Sequence, residues 1–154
     1  NIPSLSGAPI TMELIKNLSS FETMAGMKDS HNPETEHLAF IREFPRLKFL
    51  TGRTSVLSAG LRAGGAGSIT GSASVLLQET RAVYEAFRNR GDLDGAQEQL
   101  NQAGASLRGF YGIPAMKYIL SLMGLPQSFS RPPHVELSSE EQKKAAEMWS
   151  RFRG

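Results

Sequence analysis

The chain has 154 residues, 17 lysines and arginines against 15 acidic residues, and no cysteine. The lack of cysteine excludes disulfides, thiolate metal ligands and cysteine catalysis. Basic residues are scattered among acidic ones, and apolar runs are far shorter than the ~20 residues that cross a bilayer, so neither nucleic acid nor a membrane is an expected partner. With no recognisable signal peptide, we expect one cytoplasmic domain with a buried core.

The first part of the chain predicts two helices on either side of a short strand. Thr11 is placed to cap the first helix. Its inner face is predicted to consist of apolar residues at helical spacing: Met12, Leu14, Ile15 and Leu18. Residues 22–28 form a strand-length run that ends at a turn. Asn32 and Pro33 suit the N-cap and first turn of the second helix. That helix is predicted to bury one stripe: Leu38, Ile41 and Phe44.

The middle of the chain repeats this pattern. Strands are predicted at residues 47–51 and 67–70, and helices at residues 56–63 and 75–90. The longer helix is predicted to turn three apolar side chains inward: Leu76, Val83 and Phe87. Its expected C-cap is Gly91. Strand, turn and helix at intervals of roughly 20–25 residues are typical of βα units with a parallel sheet.

The last third of the chain shows helical patterns only. One apolar stripe is predicted at Leu93, Ala96, Leu100, Ala103 and Leu107. A second is predicted at Ile113, Met116, Leu120 and Met123. Residues 138–141 (Ser-Ser-Glu-Glu) form a capping box that begins the final helix, which runs through Trp149.

The number of strands predicts the fold class. Three strands, or four if one precedes Ile2, would leave exposed edges in an open sheet, and these glycine- and alanine-rich strands are poor edges. Half of a TIM (β/α)8 barrel, whose usual size is ~250 residues, fits better. The prediction is an α/β fold with half of a barrel over residues 1–91 and a helical C-terminal extension over residues 92–154.

Lys28 is the first candidate for chemistry. It ends a small, apolar strand just before a turn, and the carboxyl ends of barrel strands form the active-site face. A lysine amine attacks a carbonyl to form a Schiff base only when it is neutral, and the apolar residues 24–27 are a setting that favours the neutral form. The alternative is a strand-end lysine that extends into solvent, and spacing alone favours this alternative.

Other candidates lie at the remaining strand ends. Glycines stand there at three positions: Gly52, Gly67 and Gly71. They suit either the close approach of a small ligand or a tight turn. Arg53 follows Gly52 and is either a bidentate ligand for a carboxylate or phosphate or a solvated turn residue. The histidines lack the spacing of metal ligands and are expected in loops or on a helix surface: His31, His37 and His134. No metal site is predicted.

Four segments of the chain, taken in order, match motifs of a known family. They are residues 1–7 (Asn-Ile-Pro-Ser-Leu-Ser-Gly), 26–30 (Gly-Met-Lys-Asp-Ser), 50–52 (Leu-Thr-Gly) and 64–70 (Gly-Gly-Ala-Gly-Ser-Ile-Thr). Together they resemble the C-terminal half of the dihydrodipicolinate synthase / N-acetylneuraminate lyase family of Schiff-base aldolases. The first resembles the turn after the family's fifth strand, with its tyrosine missing just ahead of Asn1. The second resembles the sixth-strand segment with the Schiff-base lysine, and the others resemble the seventh strand and the start of the eighth.

The resemblance implies the C-terminal half of a TIM barrel and reversible aldol cleavage or addition through a lysine imine of pyruvate or a related 2-oxo acid. By motif match Lys28 would be the nucleophile, and Gly52 and Ile69 would line the pocket around the imine. It implies an aldehyde as second substrate, no cofactor and a homotetramer. The family's proton-relay tyrosine and its Thr-Thr carboxylate-binding turn belong to the part not present here.

Departures from the family's patterns narrow the substrate. Leu5 stands where synthases of the lysine pathway usually have arginine, and Arg53 stands where sialate lyases have acidic residues. Residues 26–30 and 110–114 (Phe-Tyr-Gly-Ile-Pro) are most similar to the 4-hydroxy-2-oxoglutarate and 2-keto-3-deoxy-sugar-acid aldolase branches. Arg53 would then meet a distal carboxylate. The alternatives are a non-catalytic keto-acid-binding relative, dihydrodipicolinate synthase proper and an inert half-barrel.

Overall fold

The computed structural model describes residues 1–31, 33–109 and 112–153. The strands are β1 (Gly26–Asp29), β2 (Lys48–Thr51) and β3 (Gly67–Ser68). The helices are α1 (Pro3–Ser6), α2 (Met12–Leu18), α3 (Glu34–Glu43), α4 (Leu57–Arg62), α5 (Leu77–Arg88), α6 (Leu93–Ser106), α7 (Ile113–Leu122) and α8 (Ser139–Arg153), with short 3-10 turns at Thr54–Val56 and Ser72–Ser74.

The strands form a parallel sheet in the order β1-β2-β3, as the βα pattern predicts. In the register Lys28 lies opposite Leu50, which lies opposite Gly67. Asn1 lies on the other side of β1, where its backbone nitrogen donates to the Lys28 carbonyl at 2.7 Å and its carbonyl accepts from the Ser30 amide at 3.1 Å. Asn1 therefore pairs with β1 as a residue of a neighbouring parallel strand would.

One face of the sheet is covered by α2, α3 and α4. Alternation along the strands buries Met27 and Phe49 on this face and leaves Lys28 on the opposite face. The Phe49 ring stacks on Phe40 of α3 with 5.8 Å between centroids. We call these buried residues the sheet cluster: Ile15, Met27, Phe40, Ile41, Leu47 and Phe49.

The C-terminal helices pack around a second core. We call it the helix cluster: Leu57, Leu61, Val75, Leu76, Val83, Leu93, Leu100, Ala103, Leu107, Ile119 and Trp149. Its members come from α4 and α5 of the predicted barrel half as well as from α6, α7 and α8. The stripe predicted along α6 is confirmed, and the division at residues 91 and 92 stays a prediction.

Polar contacts fasten α6 to the segment before it. Gln97 is buried; its Oε1 accepts from the Ser58 amide at 2.8 Å and its Nε2 donates to the Thr54 carbonyl at 3.1 Å. On the surface, Arg62 donates to both carboxylate oxygens of Asp94, which lowers the pKa of Asp94. These bonds fix α6 against α4 and the turn after β2.

Two predicted helix starts are confirmed. The Thr11 hydroxyl accepts from the Leu14 amide at 3.2 Å. At α8 the Ser138 amide and hydroxyl both donate to Glu141, and the Glu141 amide donates back to the Ser138 hydroxyl. The bonds from Ser138 hold the pKa of the Glu141 carboxyl below its ordinary value. The predicted cap Asn32 and residues 110–111 lie outside the described residues.

The first strand is shorter than predicted. It begins at Gly26 rather than residue 22, because the Met24 amide donates to the Phe21 carbonyl at 3.1 Å and closes a turn. Arg46 holds this turn by donating to several of its carbonyls, Ser19 at 2.6 Å among them. The strand also continues one residue past Lys28.

Several predicted apolar faces are wrong in detail. In α2 only Ile15 is buried, whereas the other three predicted residues are exposed. In α3 the buried residues are His37, Phe40 and Ile41, with Leu38 and Phe44 partly buried. In α7 they are Ala115 and Ile119; of the predicted stripe, Met116 and Leu120 are partly buried, whereas Ile113 and Met123 are exposed. In α5 Phe87 is exposed, and Arg90, with φ of 56°, takes the left-handed position expected of Gly91. None of the helices in the described ranges has the length and apolar composition to span a membrane.

Candidate active site

The Lys28 side chain lies on the face of the sheet that the described helices leave open. Strand alternation turns its neighbours Met27 and Asp29 toward the helices, and Lys28 is half-buried among small and apolar groups. A shallow groove of about 320 Å³ runs along this face. Its lining residues are Ala25, Gly26, Met27, Lys28, Lys48, Leu50 and Ile69. The groove thus presents a primary amine at an apolar surface.

Gly52 leaves the space that the Lys28 side chain occupies. A Cβ built on Gly52 would lie 2.9 Å from the Lys28 Cε and 1.8 Å from the Ser30 Oγ, and real Cβ atoms do not approach so closely. The aliphatic end of Lys28 therefore extends toward the carboxyl end of β2, alongside the Gly52 backbone. This favours the close-approach interpretation of Gly52, with the lysine itself as the group that approaches.

Ile69 lies on the same face, directly after β3. Its amide donates to the Thr51 carbonyl at 2.9 Å, which continues the parallel register so that Ile69 follows Gly67 on the groove side. Its side chain is 56% exposed and lines the groove that contains Lys28. The structure therefore brings together Lys28, Gly52 and Ile69.

Arg53 lies at the same edge of the sheet but outside the described groove lining. Its amide donates to the Thr51 hydroxyl at 3.1 Å, and that hydroxyl donates to the Arg53 carbonyl at 3.2 Å. Thr51 is buried, so the start of this turn is fixed. The guanidinium therefore extends from an anchored backbone at the carboxyl end of β2.

The other two strand-end glycines have structural explanations. Gly67 has φ of 138°, in the region that favours glycine. A Cβ on Gly71 would lie 3.2 Å from the sulfur of Met116, so this glycine allows α7 to pack against the turn after β3.

Ser30 is a site residue that our sequence reasoning missed. It belongs to the 26–30 segment, yet no role was predicted for it. Its hydroxyl lies beside the Gly52 backbone and next to the Lys28 side chain. The signal was available, because a residue two positions after Lys28 in an extended segment points to the same face.

Asp29 lies on the opposite face from Lys28 and is 2% exposed. One carboxylate oxygen accepts from Asn1 Nδ2 at 3.1 Å and from the His31 amide at 3.2 Å. The other oxygen pairs with His37 Nδ1 at 3.2 Å. The prediction of His37 on a helix surface is wrong: it is 2% exposed, because its polar ring nitrogen has this buried partner. His31 and His134 are exposed as predicted.

In the described residues, histidine and carboxylate side chains do not gather into a group of three or more. The chemistry available at the groove is that of the amine. A lysine beside apolar side chains, with a glycine in place of a bulkier neighbour, has room to form a covalent bond to a small carbonyl compound.

A parallel βα sheet with a lysine at its carboxyl edge and helices packed after it is the arrangement found in one half of an α/β barrel. The family model described as "Dihydrodipicolinate synthetase family" matches residues 1–151, and the chain belongs to this family. The resemblance given by the four motifs is thereby confirmed at the level of the family.

Two relatives and one solved structure illustrate the similarity. The chain is 33% identical to a DapA-like lyase of Chloroflexus aurantiacus, over 92% of this chain and 48% of that protein. It is 30% identical to the 4-hydroxy-tetrahydrodipicolinate synthase of Archaeoglobus fulgidus, over 96% of this chain and 52% of that protein. The structure of YagE, an Escherichia coli K12 prophage protein of the dihydrodipicolinic acid synthase family in complex with pyruvate, matches with a TM-score of 0.85 at 23% identity.

The YagE match covers 99% of this chain and 54% of that protein. The chain therefore spans about half the length of the relatives it matches. The predicted fold class, a partial α/β barrel followed by a helical part, is confirmed. The cytoplasmic location and the homotetramer stay predictions.

Proposed function

We propose that the chain provides the Schiff-base lysine of a class I aldolase or lyase that acts on pyruvate or a related 2-oxo acid. The observation that carries the proposal is the position of Lys28, half-buried on the open face of the sheet with its aliphatic end beside Gly52. Membership of the family supports it, as does the similarity in fold to YagE, whose structure contains pyruvate.

The proposed chemistry follows from the properties of a neutral amine. The Lys28 nitrogen attacks the ketone carbon of the 2-oxo acid, and uptake of one proton with loss of one water gives a protonated imine. This cation draws electrons from the adjacent carbon. Either a proton leaves that carbon, or its bond to the hydroxyl-bearing carbon breaks while the hydroxyl loses its proton to become an aldehyde, and both routes give an enamine. In the reverse sequence the enamine attacks an aldehyde, whose oxygen takes up a proton, and water then releases the product, the free amine and one proton.

The groove suits these steps in two ways. Leu50 and Ile69 present apolar surface in the same groove as the amine. The backbone at Gly52 lets a small substrate approach the Lys28 nitrogen closely. Because the groove is shallow and open, we propose that the working site is closed by further barrel strands.

Exchange of the pyruvate methyl protons tests the proposal, because only an enamine on the enzyme exchanges them quickly. Pyruvate in deuterated buffer is followed by proton NMR with the full-length protein and with Lys28→Arg. We expect exchange with the wild type and none above background with the variant. Equal rates for both proteins would contradict the proposal, and binding of pyruvate without exchange would favour the non-catalytic keto-acid-binding alternative.

Arg53 is proposed to bind the distal carboxylate of a dicarboxylic aldol substrate, in line with the 4-hydroxy-2-oxoglutarate branch. Its backbone is anchored by Thr51 next to Gly52, at the edge where the Lys28 side chain ends. Arg53→Ala should raise KM for a dicarboxylate more than for an uncharged aldol, because a bidentate contact is lost only with the former. Equal changes in KM for the two substrates would contradict this role.

A further inference from the structure

We propose that Asp29 and His37 position the Lys28 amine for Schiff-base formation, from the face of the sheet that is hidden from the groove. The inference rests on the proposed function, and it assigns a role in that chemistry to a buried pair that does not touch the substrate. The two side chains are 2% exposed each and lie 3.2 Å apart between His37 Nδ1 and Asp29 Oδ2.

Asp29 and Lys28 share a peptide bond in β1, so whatever fixes Asp29 also limits the position of the Lys28 backbone. On the outer side of β1, Asn1 bonds to the backbone on both sides of Asp29: its nitrogen donates to the Lys28 carbonyl and its carbonyl accepts from the Ser30 amide. The Asn1 side chain is fixed in turn, since Nδ2 donates to Asp29 and Oδ1 accepts from the Ile10 amide at 2.9 Å. Asp29 therefore sets how Asn1 lies along β1.

His37 ties this arrangement to the helix layer. His37 Nδ1 faces Asp29 Oδ2 at 3.2 Å, and a proton on this ring nitrogen lets it donate to the carboxylate. On its other side the ring faces α4, where a Cβ built on Gly60 would lie 3.7 Å from His37 Nε2. The ring is held between β1 and α4. Through its contact with Asp29 it fixes the carboxyl end of β1 relative to α4.

The Lys28 side chain follows the Gly52 backbone. Its Cε lies 2.9 Å from where a Cβ of Gly52 would be, so the place of the amine in the groove depends on the backbone of β1 relative to Gly52. A misplacement of ~1 Å at a reacting group costs about 100-fold in rate. A pair that fixes the backbone of Lys28 on its hidden side is therefore expected to affect the rate of imine formation.

The test uses Asp29→Asn and His37→Leu in the full-length protein. An amide at position 29 places an NH2 group opposite either His37 Nδ1 or the groups of Asn1 and His31 that donate to the carboxylate. Leucine at position 37 removes the Nδ1 group while retaining bulk. The rate of adduct formation is measured by borohydride quenching at a series of pyruvate concentrations. We expect the maximal rate to fall about 10- to 100-fold, with little change in the pyruvate concentration at half-maximal rate.

Two control variants separate positioning from loss of stability. Glu79→Gln makes the same carboxylate-to-amide change in the half-buried Glu79–Arg153 ion pair of α5 and α8, and it should leave the adduct rate unchanged. His37→Asn returns a donor at the position of Nδ1 and should restore much of the rate lost in His37→Leu. If Asp29→Asn fails to fold, the comparison of the two His37 variants still decides the outcome.

A wild-type rate in Asp29→Asn or in His37→Leu would overturn the positioning role alone. An equal loss of rate in Glu79→Gln would also overturn it, because the effect would then be one of general stability. No adduct in the wild type would overturn the proposed function, and the positioning role with it.

Discussion

The sheet cluster and the helix cluster differ in what they leave exposed. The sheet cluster covers one face of β1 and β2, and the other face, with Lys28 and Lys48, stays open within the described residues. The helix cluster is enclosed by five helices, and Ile119 at its centre has no exposed surface. In the sheet region, one face therefore contributes to stability and the opposite face carries the proposed chemistry. The helix region contributes to stability. Substitutions in the two regions should separate these properties.

The largest expected effect is on stability, in the helix cluster. Leu100 is 1% exposed, and Leu100→Ala should lower the free energy of unfolding by about 2–5 kcal/mol, because transfer energy is lost and a cavity is left. Urea denaturation followed by circular dichroism measures it. The exposed Leu122→Ala is the control. A full loss of adduct formation in folded Leu100→Ala would contradict the division of roles.

The second largest effect is expected on the rate of adduct formation. Gly52→Ala introduces a Cβ that collides with Ser30 and displaces Lys28, so the rate of adduct formation with pyruvate should fall about 100-fold. Gly91→Ala is the matched control, because its Cβ would meet only ordinary contacts at 3.8 Å. Borohydride quenching measures both. An unchanged rate of adduct formation in Gly52→Ala would show that the reaction does not depend on the close approach of Lys28 to Gly52.

A smaller effect on stability is expected where α8 packs against α5. Arg153 stacks over the Trp149 and Phe152 rings at 4.8 and 4.7 Å and pairs with Glu79 at 2.9 Å. Arg153→Ala should cost about 1–2 kcal/mol of stability. Arg151→Ala, whose ion pair is exposed, should be close to neutral in the same denaturation experiment. Equal costs for both variants would show that the stacked geometry adds nothing.

The smallest expected effect is a pH-dependent change in stability at the capping box that begins α8. Because the hydrogen bonds from Ser138 lower the pKa of Glu141 in the folded chain, its contribution to stability is present above the ordinary value of 4.5. It is lost as the pH falls through the lowered folded value. The difference in unfolding free energy between wild type and Glu141→Gln should therefore shrink on acidification. Ser138→Ala removes the hydroxyl donor and keeps the amide donor, so in this background the pH dependence should be reduced, and an undiminished one would contradict the hydroxyl as the larger cause.

The parts of the fold set by local periodicity could be predicted from the sequence. Parallel strands, the α6 stripe and the caps at Thr11 and Ser138 follow from spacing and from side chains near in sequence. The inward faces of α2 and α7 could not, because which apolar residues are covered depends on the neighbours that pack there. The start of β1 depends on Arg46, which lies far along the chain from the carbonyls that it binds.

In the candidate site, too, the residues with a local sequence signal could be predicted, and those whose role depends on a distant partner could not. Lys28 was found because a titratable residue in an apolar strand is conspicuous, and Ile69 was named only through the family's motifs. His37 was misassigned because a histidine on a helix indicates burial only when its partner is known, and Asp29 lies on another element. Ser30 was overlooked although strand alternation was enough to find it.

The most direct test of the account is to trap the adduct on Lys28. The full-length protein is incubated with pyruvate, reduced with borohydride, digested and analysed by mass spectrometry, with Lys48 in the same groove as an internal comparison. The account predicts one reduced pyruvate adduct on Lys28, an unmodified Lys48, and no adduct in Lys28→Arg. No adduct, or one that persists elsewhere in Lys28→Arg, would contradict it.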